Sequence, residues 1–430
     1  MITATHRPPG LILRDHRFQC PLDHDRPGGP KIEVFAREVM APQHEGKELP
    51  WLVYFQGGPG MESPRPTESG GWLGRALEEY RVLLLDQRGT GLSSPLNAST
   101  CAALGNAFEQ AEHLSHFRAD GIVGDAELIR RELLGADQSW TVLGQSFGGF
   151  CVVHYLSQAP QGLKEAFITG GLPPLEATAD DIYRATYPRV LDRNRRYYER
   201  YPEDESRVIA IVRMLQAEDI RLPGGDRLSP RKFQQLGLMF GMSDGFERMH
   251  YLLEEAFPDG GPAPRPTFRF LAAVQHSLGF ETTPLYALLH ESIYCQGFAS
   301  NWAAERVREE FAPFQIRAGA PVMFCGEMVF PWMFEEYGQL QLLGDVAEVL
   351  AQKADWPRLY DPARLANNPV PAAAVIYADD MYVEARYSQE TARAIPHLRP
   401  WITSEYDHNG LRADGPRIFE RLMALARGWR

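Results

Sequence analysis

Ser146 stands at the centre of Gly144-Gln145-Ser146-Phe147-Gly148, a G-x-S-x-G sequence between the apolar run from Trp140 to Leu143 and an amphipathic stretch that reads as a helix. A serine hydroxyl attacks a carbonyl carbon effectively only when a neighbouring base takes its proton and a third group holds that base in the correct tautomer. A strand that turns sharply into a helix crowds its neighbours, so Gly144 and Gly148 keep side chains clear while Ser146 is held at the tip. The helix N-terminus behind it offers unpaired backbone N–H groups to a developing oxyanion. Of the twelve histidines, His397 and His408 are the two that follow the last plausible acid. His408 lies in Glu405-Tyr406-Asp407-His408-Asn409-Gly410, a polar loop between a predicted strand ending at Thr403 and the C-terminal helix, where a general base can hang over the sheet edge. His397 sits beside Pro396 in a solvent-facing turn, so His408 is the expected base. The acid is expected at Asp379 or Asp380, directly after the predicted strand from Ala372 to Tyr377, because adjacent acids in one loop cannot both orient one imidazole.

These groups need a sheet to carry them. Short β-rich runs at Ile32 to Glu38, Trp51 to Phe55, Arg81 to Leu85 and Trp140 to Leu143 alternate with Gly/Pro loops and with helix-like stretches such as Gly124 to Leu134. Continuous apolar runs suit strands covered on both faces, and strand–helix alternation predicts a mostly parallel α/β sheet flanked by helices. From 173 to 318 the sequence becomes charged, amphipathic and helix-rich, including Tyr183 to Tyr201 and Val208 to Glu218, with a Pro/Gly loop from Pro258 to Pro266. β-like runs return at Pro321 to Cys325, Ala372 to Tyr377 and Pro400 to Thr403, separated by predicted helices over Glu335 to Gln352 and Glu384 to Ile395. The expected organisation is a catalytic core over 1–172 and 319–430, interrupted by a helical cap over 173–318.

Two further loops make the pattern specific. Leu52-Val53-Tyr54-Phe55 runs into Gln56-Gly57-Gly58-Pro59-Gly60, and Arg81 to Leu85 runs into Asp86-Gln87-Arg88-Gly89-Thr90-Gly91-Leu92-Ser93. G-G-P-G, D-Q-R-G-x-G-x-S and G-x-S-x-G-G in this order resemble the proline iminopeptidase (prolyl aminopeptidase) family of α/β-hydrolases, in its longer bacterial type. The match covers the core before and after the insertion, about two-thirds of the chain. Two positions depart from the family pattern: Gln56 stands where a His is common, and Phe147 where a Trp is usual. The resemblance implies an α/β-hydrolase fold and release of an N-terminal residue, preferentially proline, from peptides through an acyl-enzyme. It implies oxyanion amides at Gly58, with Gly57 the adjacent candidate, and at Phe147. It favours Asp380 over Asp379, since family members carry the acid before a hydrophobic residue and Met381 follows Asp380.

An aminopeptidase also needs carboxylates that grip a free ammonium. Glu291, in Leu288-Leu289-His290-Glu291-Ser292, is similar to a family segment whose Glu contacts the substrate amine. Glu247 in the insertion and Glu327, just past the predicted strand Pro321 to Cys325, are the other candidates. Phe147, Tyr155 and Tyr294 are candidates for the wall of a proline-sized pocket.

The 430 residues carry 44 Lys plus Arg against 56 Asp plus Glu, a net charge of −12, without a basic run. That balance excludes a nucleic-acid binder or a ligand of anionic membranes, and suits a site that attracts cationic peptide N-termini. No apolar stretch approaches the length of a membrane span, and Met1 to Pro9 lacks the apolar segment of a signal peptide, so a cytoplasmic protein is expected. Five scattered cysteines read as small buried hydrophobes in a reducing compartment. Short peptides with a free N-terminus are the expected partners, no metal or organic cofactor is implied, and oligomeric state is left open. The rival readings are an esterase or amidase on the same scaffold, acting on small acyl substrates, and a hydrolase-like binding protein without activity.

Overall fold

The strand signals resolve into one sheet in a computed structural model that describes residues 2–257 and 265–428. Nine strands among the described residues are β1 (Ile2–His6), β2 (Ile12–Pro21), β3 (Lys31–Met40), β4 (Trp51–Phe55), β5 (Arg81–Leu85), β6 (Trp140–Gln145), β7 (Leu163–Thr169), β8 (Ala372–Tyr377) and β9 (Leu398–Thr403). They lie in the order β1-β2-β3-β5-β4-β6-β7-β8-β9. β1, β2 and β3 pair antiparallel, β3 joins β5 antiparallel, and every pairing from β5 to β9 is parallel. The chain reverses its direction of travel across the sheet around β4, β5 and β6, and the loops leaving β4 and β6 meet at that point. In an open α/β sheet such a switch point is where a crevice forms at the carboxyl ends of the strands.

The continuous apolar runs behave as strands covered on both faces: in β8 all six residues of Ala372–Tyr377 are buried. One face packs against the helices Phe147–Gln158 and Ala119–Leu134 and runs without a break into the insertion. The other packs against Gly415–Ala426 through Phe419 and Leu422. All five cysteines are buried and unpaired.

Several expectations need correction. Pro321 to Cys325 is not a strand. Its backbone bonds go to side chains and a helix end: Met323 O accepts from Gln234 Nε2 at 2.7 Å, Asn194 bonds both N and O of Phe324, and Cys325 N donates to Gln234 O at 2.8 Å. The sheet therefore resumes only at Ala372, not near 319, and no sheet strand is described between Thr169 and Ala372. The single helix expected over Glu335 to Gln352 is two, Met333–Glu336 and Gly344–Gln352, interrupted where Gly338 N turns to donate to Asp226 at 3.1 Å. β1, β2 and β7 are strands beyond those the sequence pattern predicts. Most of the Pro258 to Pro266 loop lies outside the described residues.

The long helix of the insertion, Ala179–Arg200, starts from a Thr178–Asp181 capping box. It crosses above the carboxyl end of β8, where its residues meet the loops after β8 and β9.

Candidate active site

β6 ends at Gln145, the helix Phe147–Gln158 begins two residues later, and Ser146 alone makes the turn, at φ 54° and ψ −126°. This is a strained conformation for a residue with a side chain, held because its surroundings allow no other. A Cβ on Gly144 would lie 2.3 Å from Gly148 O, and one on Gly148 would lie 2.0 Å from Phe55 O. A Cβ on Gly171 would meet Ser146 O at 2.2 Å. Ser146 N donates to Thr169 O at 2.9 Å, pinning the turn to the end of β7.

Beside this turn the loop after β4 brings Gly57 and Gly58 to the same cavity as Ser146. Gly58 has φ +132°, and a Cβ on Gly57 would sit 3.0 Å from the Ser146 Cβ, so backbone alone fits against the serine. Neither Gly58 N nor Phe147 N donates to a protein acceptor among the described residues, which leaves both free for an incoming oxygen. The D-Q-R-G-x-G-x-S loop braces this arrangement. Gln87 Nε2 donates to Gln56 O at 2.9 Å, and buried Asp86 accepts from Ser63 N and pairs with Arg65. Arg88 is fully buried against Asp125, with Nε to Oδ2 at 2.8 Å.

His408 is buried, and its Nδ1 lies 2.7 Å from Asp380 Oδ2. Asp380 Oδ1 accepts from Tyr382 N at 2.8 Å and Val383 N at 3.1 Å, so the carboxylate is fixed by its own loop. The Tyr382 ring stands edge-on to the imidazole at 4.8 Å, and His408 N donates to Gly241 O of the insertion at 3.1 Å. Burial pulls the imidazole pKa down, but the Asp380 charge and hydrogen bond, with Glu327 and Asp407, outweigh it and leave His408 above the usual histidine value. Asp379 faces outward to Arg196, at 3.1 Å. His397 is exposed in its turn.

The cavity over Ser146 and His408 has a volume of about 570 Å³. That suits a residue or two of peptide. Glu327 is the one carboxylate among the described residues that lines it, and its Oε1 accepts from Tyr286 OH at 2.7 Å. It arrives on the irregular segment held by Asn194 and Gln234, although the strand that drew attention to it is absent.

Two other carboxylates lie elsewhere. Glu291 is buried but turned away, with Oε2 and Oε1 accepting from Ala303 N at 3.1 Å and Ala304 N at 2.8 Å. The helix Ala303–Arg308 has no side-chain cap of its own, because its N-cap residue is Trp302, whose indole can donate but not accept; Asn301 and Trp302 are both left-handed, at φ 46° and 57°. Glu291 satisfies those amides from a distance, and burial raises its pKa. Glu247 sits at the surface, paired with Arg200 at 2.6 Å.

Of the expected wall aromatics, Phe147 packs on Phe150, Phe150 on Tyr294, and Tyr155 bonds Glu127 and Trp140 in the core. The aromatics lining the cavity are Tyr54, Trp72, Tyr286 and Tyr382. Tyr382, two residues past Asp380, had a local signal; Tyr286 and Trp72 are brought in by tertiary contacts alone. Gln56 also lines the cavity and accepts from Tyr54 OH at 2.7 Å. Together the cavity brings a serine hydroxyl and a carboxylate-paired imidazole to one place with one further carboxylate, beside two backbone amides without a protein acceptor, an arrangement chemically capable of acyl transfer.

A profile for the alpha/beta hydrolase fold matches residues 50–204. The chain is 51% identical over 419 residues to a proline iminopeptidase of Aeromonas sobria, covering 97% of each. It is 37% identical to a proline iminopeptidase of Aspergillus aculeatus, over 98% of this chain and 95% of that one. A crystal structure of a Mycobacterium smegmatis proline iminopeptidase aligns over 96% of this chain and 97% of its own, with 14% identity and a TM-score of 0.45.

Proposed function

The chain belongs to the proline iminopeptidase family of α/β-hydrolases, and on that premise we propose that it is a serine aminopeptidase that removes an N-terminal residue, preferentially proline, from short peptides. The observation that carries the reading is the pairing, in one cavity, of Ser146 and the Asp380-backed His408 with the single carboxylate Glu327. In this mechanism the substrate ammonium binds Glu327, which sets the first peptide carbonyl over Ser146. His408 takes the hydroxyl proton as Oγ adds to that carbonyl. The amides of Gly58 and Phe147 hold the oxyanion, worth about 3–4 kcal/mol per donor in comparable sites. His408 then gives its proton to the leaving amine, and water enters by the reverse route to release the N-terminal residue.

No helix among the described residues is long and apolar enough to cross a membrane, and five buried unpaired cysteines suit a reducing cytoplasm as the place of action. The test compares proline 2-naphthylamide, its N-acetylated analogue and a short acyl ester. A free-amine preference that Ser146→Ala abolishes, with a loss of at least about a thousandfold in kcat, supports the aminopeptidase. Equal or better turnover of the blocked substrate or the ester would replace it with an esterase or amidase.

A further inference from the structure

Arg193, on the insertion helix Ala179–Arg200, is a buried guanidinium that touches neither Ser146 nor His408. One of its nitrogens, Nη2, donates to two places: the Asp379 carbonyl oxygen at 3.1 Å, and the Asp407 carboxylate. Asp379 precedes the expected acid and Asp407 precedes the expected base. The two loops leave different strands, β8 and β9. The side chain therefore ties the acid loop to the base loop from above.

Its neighbours on the same helix extend the contact. Arg189 makes a two-pronged pair with Glu384 at 2.9 and 3.0 Å, and Arg196 reaches Asp379 Oδ2 at 3.1 Å. Asn194, the next residue, bonds both backbone groups of Phe324, at 2.7 and 3.0 Å, three residues before Glu327. About two turns of helix thus hold the His408 loop, the Asp380 loop and the segment before Glu327 in a common frame.

We propose that Arg193 is a positioning residue of the hydrolytic site, locking the Asp380 loop to the His408 loop and compensating the Asp407 charge beside the base. The inference rests on the reading of Ser146, His408 and Asp380 as the acyl-transfer machinery. Charged and titratable groups facing His408 are Asp380 and Tyr382 from the β8 loop, Asp407 from its own loop, and Glu327 from the segment after Phe324. The guanidiniums of Arg248 and Arg412 share the cavity with it. Asp407 acts on the imidazole in the same direction as Asp380, favouring the protonated form. With Arg193 in place that charge is partly offset; without it the base is held protonated to higher pH and its loop is released.

The experiment measures kcat, KM and the pH dependence of kcat/KM on proline 2-naphthylamide, with the rate of Ser146 labelling by a fluorophosphonate as a substrate-independent readout. Arg193→Gln is expected to lower kcat and the labelling rate by at least about tenfold, leave KM within about twofold, and move the acid limb up by about half a unit to one unit. Adding Asp407→Asn should bring the limb back, Asp407→Asn alone should move it down, and Arg193→Lys should recover part of kcat. A lost cap contact of merely structural kind would not reverse sign in this way. Should Arg193→Gln not fold, as judged by circular dichroism and thermal melting, the Asp407→Asn and Arg193→Lys variants carry the test. A limb that stays put in Asp407→Asn, or a folded Arg193→Gln with kcat within twofold of the parent, overturns the proposal. An inactive parent enzyme overturns the aminopeptidase reading instead.

Discussion

Replacing Glu327 by Gln removes one negative charge from the cavity while keeping a planar group whose oxygen can still accept from Tyr286 OH, now at 2.7 Å. The substitution therefore isolates the charge. An ammonium about 4 Å from a carboxylate gains roughly 4 kcal/mol at an effective dielectric near 20. Glu327 is half-buried rather than sealed, and the ammonium gives up hydration to reach it, so a net loss of about 2–3 kcal/mol is expected. At 1.36 kcal/mol per decade this is about a 30- to 160-fold fall in kcat/KM for proline 2-naphthylamide. It should fall mainly on KM, because the ammonium is bound equally in ground and transition states. The N-acetylated substrate has no cation and should change by less than about threefold, so the ratio between the two substrates collapses. If free and blocked substrates lose activity in parallel, or the free-amine kcat/KM stays within threefold of the parent, Glu327 is not the amine's partner and the carboxylate must be sought elsewhere.

Glu291→Ala should act on stability instead: leaving the Ala303 and Ala304 amides without their acceptor is expected to cost about 2–4 kcal/mol in urea unfolding, with KM for the free amine unchanged in the folded protein. Asp380→Asn should lower kcat by about a thousandfold or more by favouring the wrong imidazole tautomer, whereas Asp379→Asn, whose carboxylate pairs with the partly exposed Arg196 and Arg189 and whose backbone carbonyl is unchanged, should stay within about threefold; equal losses would refute the assignment. Because His408 must be neutral to act as base and its pKa is raised, kcat/KM should fall away on the acid side above the ordinary histidine value, and a limb at or below about 6.5 would contradict the Asp380 coupling.

Local chemistry was legible in the sequence wherever short-range sterics dictate it. The turn at Ser146 needs glycines four residues apart and an apolar strand before it, and these are visible in a dozen residues. The same holds for β4, β5 and β8, whose continuous apolar runs admit few readings other than a doubly covered strand. The segment before Glu327 has strand-like residues but is not a strand, because its backbone groups are claimed by Asn194 and Gln234 from distant elements. Glu291 drew attention because a carboxylate in an apolar run is unusual. That oddity is explained by a helix start 12 residues further along the chain whose amides it accepts, a demand no periodicity can register.

By itself the sequence determined the class of fold, the order in which Ser146, Asp380 and His408 follow one another, and a chain of net negative charge. These depend on residue type, local spacing and composition. Only the tertiary structure decided which of two adjacent aspartates turns inward to His408, which of three glutamates reaches the cavity, and that a cap arginine bridges the loops carrying acid and base. The reason is that a carboxylate's role is set by what satisfies it. Asp379 is claimed by Arg196, which reaches it only when the insertion folds back across the sheet, while Glu247 and Glu291 are claimed inside the insertion by Arg200 and by the Ala303 and Ala304 amides, neighbours that its own helix packing creates.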